Sequence, residues 1–151
     1  IFKYKKIKVN NSNLKAILVI PDFELETRKL RKVLPERVKL KDAIFNHSRT
    51  ALLTTIFKDK DWDLLSLAMQ DKLHQNYRSK LIPGFNEVLN KGYNNGALGI
   101  ALSGAGPSVI AFCQNDCKHI AEVMVNEFKK NDICSNYVIS RPTDRGAAIK
   151  I

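Results

Sequence analysis

A glycine-rich turn between two short apolar runs constrains this chain more than any other feature. Ser103-Gly104-Ala105-Gly106-Pro107-Ser108 separates residues 98–102 from residues 109–113. Apolar runs of that length, bounded by turn chemistry, read as strands, and glycine supplies the backbone freedom that a tight reversal needs. A hairpin this apolar has to sit inside a sheet. The rest of the chain must supply its neighbours.

Those neighbours are legible. Ile7 and Val9 alternate with Lys6 and Lys8, which reads as a strand, and residues 10–13 are turn-forming. The continuous run 14–20 then reads as a buried strand ended by Pro21 and Asp22. Thr27 is placed to cap a short helix that turns Leu30, Val33 and Leu34 inward before Pro35, with Arg28, Arg31 and Lys32 on another face. Residues 40–57 read as a long amphipathic helix, with Ile44, Leu52 and Ile56 on one side and Asn46, Arg49 and Leu53 on another. A further helix starts at Asp63, and residues 74–84 read as a structured loop broken at Pro83-Gly84. The next helix carries Phe85, Val88, Leu89 and Tyr93 and closes at Gly96. After the hairpin, Asp116 is placed to cap a helix with Ile120, Met124 and Phe128 on one side, and strands follow at 136–140 and 147–151. The order is strand, helices, strand, strand, helix, strand. It predicts an α+β fold, a ferredoxin-like split βαβ sandwich with extra helices in its first crossover.

The whole chain, 1–151, reads as one domain, and 44% hydrophobic residues suffice for a core. Ile1 is not a methionine and residues 2–5 already look like a strand in progress, so the chain reads as cut from a longer polypeptide. With 25 Lys and Arg against 15 Asp and Glu, the +10 charge favours anionic partners without choosing among metabolites, nucleotides, nucleic acid and membrane. No apolar run is long enough to cross a bilayer. Cys113, Cys117 and Cys134 are too few and too irregularly spaced for a disulfide framework, which suggests a reducing, cytoplasmic compartment, and nothing completes a four-ligand metal site around them.

Successive N–H groups at Gly104, Ala105 and Gly106, with hydroxyls from Ser103 and Ser108, can form a concavity for phosphate oxygens. Alone, such a segment is more often only a tight turn. It is no Walker loop, lacking the Gly-Lys-Ser/Thr ending, and no dinucleotide fingerprint, lacking the third glycine. His74 in a polar loop is more often a hydrogen-bond anchor than a base, and Asn46 with Arg49 either lines a site or joins helices.

The neighbours of the glycines sharpen this. Ala97-Leu98-Gly99-Ile100-Ala101-Leu102 leads into the turn, Val109-Ile110-Ala111-Phe112 leaves it, and the whole closely resembles the third motif of the GHMP kinases, a superfamily of small-molecule kinases. Within that superfamily, His74-Gln75-Asn76-Tyr77-Arg78 with its following Leu81-Ile82-Pro83-Gly84, and Leu30-Arg31-Lys32-Val33-Leu34-Pro35 with its following Lys41-Asp42-Ala43, are similar to segments of the homoserine kinases. Asp144-Arg145-Gly146 near the end also fits.

The resemblance implies the carboxy-terminal domain of a two-domain kinase, with residues 1–12 ending a strand that belongs to an amino-terminal domain. It implies transfer of the ATP γ-phosphate to the hydroxyl of L-homoserine, giving O-phospho-L-homoserine for threonine synthesis. Arg31 and Arg78 would grip the substrate carboxylate, and Ser103, Gly104, Ala105, Gly106 and Ser108 would support the nucleotide phosphates. The main ATP loop and the groups that hold Mg2+ lie in the amino-terminal half of such enzymes, so this chain alone is expected to be inactive, with no catalytic residue or metal ligand assigned here. A homodimer is compatible with the resemblance. The alternatives are a GHMP kinase for another alcohol, an amino-acid-sensing domain of the same fold, and a basic nucleic-acid-binding module, the last disfavoured because no strand carries the aromatic pattern of an RNA-binding sheet.

Overall fold

The computed structural model describes residues 6–9 and 13–143. Residues 6–9 form no regular element, so the strand read there from Ile7 and Val9 is absent, and those expected at 2–5 and 147–151 lie outside the described residues. In chain order the elements are β1 (Lys15–Pro21), α1 (Thr27–Lys32), α2 (Leu40–Asp59), α3 (Leu65–Ala68), α4 (Gln75–Arg78), α5 (Phe85–Asn94), β2 (Gly99–Leu102), β3 (Val109–Cys113), α6 (Cys117–Lys129) and β4 (Ser135–Ser140). Single 3-10 turns occupy Trp62–Leu64 and Ser79–Leu81, the second inside the stretch expected to be loop.

The four strands form one antiparallel sheet in the order β2-β3-β1-β4. That order, with helices between β1 and β2 and between β3 and β4, is the expected split βαβ arrangement. Alternation along β3 divides its side chains between two layers. Val109, Ala111 and Cys113 join Ile17 and Val19 against α5 and α6, where Val88, Met124 and Phe128 are completely buried. Phe112 points into a second core with Leu14, Ile56, Trp62 and Leu65. There Phe57 meets Trp62 and Phe112 edge to face, with centroids 5.4 and 6.0 Å apart. The end of α2 thus anchors the inserted helices to the sheet. Burying one such aromatic or aliphatic side chain contributes about 2 kcal/mol.

Three expectations need correction. Only the far end of α2 is buried, at Ile56, while Leu40 and Ile44 are 76% and 60% exposed, because the packing partners of the helix, Leu14, Trp62 and Leu65, gather at that far end. Thr27 is the first residue of α1 and Glu26 precedes it, and Asp116 stands at the start of α6, but neither helix start has a side-chain cap. Cys113 and Cys117 are bonded to each other, with sulfurs 2.04 Å apart, because the turn between β3 and α6 folds their backbones to 5.8 Å. Cysteine usage therefore does not argue for a reducing compartment. Cys134 is a free, exposed thiol.

β2 is an edge strand, and two side chains close its open edge. The Tyr93 hydroxyl accepts from the Ile100 N–H at 3.0 Å and donates to its carbonyl at 3.3 Å. Burial raises the Tyr93 pKa, partly offset by the Ile100 N–H. Gln75 Oε1 takes the Leu102 N–H at 2.7 Å. The second bond ties α4 to the strand that leads into the glycine turn.

Candidate functional site

The site grows from two turns that meet at one side chain. In the first, residues 103–108, the Ser103 N–H donates to the Ser108 carbonyl at 2.8 Å and the Gly106 N–H to the Ser103 carbonyl at 3.2 Å. Gly104 and Gly106 stand at φ of 64° and 91°, and the Gly106-Pro107 peptide is cis. Among the described residues no hydrogen-bond partner takes the N–H groups of Gly104 and Ala105. The concavity expected over three N–H groups is therefore narrower, since the Gly106 N–H closes the turn itself.

The second turn runs from Asp71 through α4. Asp71 Oδ2 accepts three backbone N–H groups, from Leu73 at 3.1 Å, His74 at 2.7 Å and Gln75 at 2.6 Å. Its Oδ1 takes the Asn46 amide at 2.6 Å, while Asn46 Oδ1 takes the Lys72 N–H at 2.9 Å. Asn46 thus ties α2 to the segment that leads into α4, and it also lines the cleft beside that segment. Burial is the largest single influence on the Asp71 carboxyl and would raise its pKa, but the Gln75 and His74 N–H groups, the Asn46 amide and the charge on His74 together outweigh it. Its pKa lies below the ordinary carboxylate value.

Arg78 is the last residue of α4 and spans both turns. Its Nε donates to the Leu30 carbonyl on α1 at 3.2 Å, and Nη1 approaches the Gly104 carbonyl at 3.4 Å. Nη1 also lies 3.4 Å from His74 Nδ1. In the neutral imidazole a donor facing Nδ1 selects the tautomer with the proton on Nε2, and Nε2 faces Asp71 Oδ1 at 3.6 Å, too long for a hydrogen bond but close enough for the charged ring to favour the carboxylate. The contacts that His74 makes are its N–H to Asp71 and its ring beside Asp71 and Arg78. Arg31 follows Leu30 on α1 and is exposed. The structure therefore brings Arg78, the start of the Arg31 segment and Gly104 together, and it leaves the Nη2 end of Arg78 without a partner among the described residues.

Beside this junction a cleft of about 220 Å³ lies between α2 and α4, and Arg49, Asp71 and His74 line it. The Arg49 guanidinium lies 4.4 Å from the centre of the Phe45 ring, and its buried Nε has no hydrogen-bond partner among the described residues. Sequence reading missed Asp71 and Gln75. The signal for Asp71 was a carboxylate a few residues ahead of a helical turn, which is where side chains take up the orphan N–H groups of a helix start.

Residues 50–130 match the family described as GHMP kinases C terminal. The chain belongs to that family. It is 51% identical over 147 residues to the homoserine kinase of Halothermothrix orenii and 44% identical over 139 residues to that of Persephonella marina, covering 97% and 92% of this chain. It spans 47% and 46% of those proteins, so about half the length of the relatives it matches. Its fold overlays a crystal structure of homoserine kinase from Cytophaga hutchinsonii with a TM-score of 0.79 at 31% identity, covering 90% of this chain and 44% of that one. The expected GHMP kinase carboxy-terminal domain is thus the fold observed, and the hairpin that suggested it is β2-β3. Among the described residues no helix is long and apolar enough to cross a membrane.

Proposed function

We propose that this chain is the substrate-gripping half of an ATP-dependent homoserine kinase, which transfers the γ-phosphate of ATP to the hydroxyl of L-homoserine. The carrying observation is Arg78, held by Leu30 on one side and facing Gly104 on the other. A guanidinium fixed at Nε by the Leu30 carbonyl, with Nη1 turned to the Gly104 carbonyl, keeps Nη2 for a carboxylate oxygen, and it does so beside the turn best suited to phosphate. Arg31, one residue beyond Leu30, supplies the second cation. The free N–H groups of Gly104 and Ala105 and the hydroxyls of Ser103 and Ser108 face the nucleotide phosphates from this side. Relatives named homoserine kinase at 51% and 44% identity support the choice of substrate.

Phosphoryl transfer depends mainly on positioning and charge, so this half contributes orientation. Mg2+ belongs with the partner half of the enzyme. Among the described residues no group of three His, Cys, Asp or Glu is placed to hold a metal. The same reading assigns the principal ATP loop to an amino-terminal domain of the same polypeptide and the enzyme to the cytoplasm.

The test is an assay of the intact polypeptide with ATP against homoserine, mevalonate and galactose. Homoserine is expected to be the phosphorylated alcohol. Product from another alcohol and none from homoserine would reject the assignment.

A further inference from the structure

The turn that presents Arg78 is organised by a carboxylate on which the proposed reaction places no direct demand. Asp71 is 8% exposed at its side chain, yet it pairs with no lysine or arginine among the described residues. Three N–H groups converge on one of its oxygens, and Asn46 holds the other. α4 is only four residues long. A helical turn that short does not sustain itself, so the place where it begins is set by whatever holds the N–H groups leading into it, here those of Leu73, His74 and the first helical residue Gln75. Here that is Asp71, and Arg78 leaves the far end of the same turn. His74 adds a second route: its N–H is one of the three on Asp71, and its ring faces both Asp71 and Arg78.

We propose that Asp71 is a positioning residue for Arg78, fixing the α4 turn, and through His74 the guanidinium itself, in the orientation that receives the substrate carboxylate. The proposal rests on the homoserine kinase reading above. Asp71 touches neither substrate nor nucleotide in this account. Its effect appears in homoserine binding and is carried entirely by Arg78.

The experiment is a double-mutant cycle in the intact polypeptide, reading KM for homoserine and for ATP separately. Asp71→Asn keeps the size of the side chain but replaces an acceptor oxygen by a donor. It should raise the homoserine KM about tenfold and leave the ATP KM within about twofold. In an Arg78→Ala background the same substitution should have no further effect on the homoserine KM, because the group it positions is gone. Asn46→Ala, which removes one bond to Asp71 and spares the three N–H contacts, should shift the homoserine KM in the same direction by a smaller factor. It carries the test if Asp71→Asn does not accumulate as folded protein. An unchanged homoserine KM in the variant that folds, or an equal rise with and without Arg78, overturns the positioning role and leaves the kinase assignment intact. If Arg78→Ala alone leaves the homoserine KM unchanged, the substrate site is wrong and the positioning role falls with it.

Discussion

The two turns that meet at Arg78 are built by opposite means. The 103–108 turn closes on its own backbone, with two internal hydrogen bonds and glycines where φ is positive. The 71–78 turn is closed by side chains: Asp71 gathers its N–H groups, Asn46 fixes Asp71 from α2, and Gln75 ties the turn to β2. A backbone-built turn fails when a side chain is added. A side-chain-built turn fails when one is removed, and several contacts are lost at once. Chemical denaturation of matched variants should separate the two modes of failure.

The largest effect is expected from Asp71→Ala, which leaves up to three partly buried N–H groups without their acceptor and should lower stability by about 3 kcal/mol. Its pH dependence has a definite sign. A carboxyl whose folded pKa lies below its unfolded value stabilises fully above the unfolded pKa and loses that contribution as pH falls through the folded one. The gap between the native protein and Asp71→Asn should thus be full at neutral pH and close below about pH 4. Urea titrations at several pH values check this. A gap that widened in acid would contradict the charge assigned to Asp71.

Next comes Gly106→Ala. At φ of 91° a Cβ would meet Ile82 Cδ1 at 3.2 Å and Leu102 Cδ2 at 3.3 Å, so strain and crowding add. A loss of about 2 kcal/mol is expected. Gln75→Leu should cost about 1.5 kcal/mol by orphaning the buried Leu102 N–H. Gly104→Ala is the mildest, about 1 kcal/mol, because nothing lies within 4 Å of the added Cβ and only the backbone preference opposes it. A Gly104→Ala penalty equal to that of Gly106→Ala would show that contact with Ile82 and Leu102 matters less than the positive φ the two glycines share.

The same contrast explains what the sequence made legible. The four strands β1 to β4, the hairpin and helices α5 and α6 follow from apolar period and glycine placement, signals local in the chain, and they stand where expected, whereas the strand read from Ile7 and Val9 does not form. Arg78 was singled out through the segment around it. Asp71 was not, because its role depends on Asn46, 25 residues away, and on N–H groups that any residues could supply. The apolar pattern of α2 misled for a related reason: Leu40 and Ile44 have the period of a buried face, but the side chains that bury Ile56 lie at the other end of the helix. The Cys113–Cys117 bond was hidden because a four-residue spacing becomes close only when strand end and helix start fold back together. Local pattern specified the elements, and long-range side-chain contacts specified the site.

The central claim is that these two turns jointly present Arg78 to a carboxylate-bearing substrate. The most direct measurement is the steady-state kinetics of Arg78→Ala in the intact polypeptide, with homoserine and ATP varied independently. The account predicts a homoserine KM raised by about tenfold to a hundredfold with the ATP KM nearly unchanged. A homoserine KM equal to that of the unsubstituted protein would contradict it.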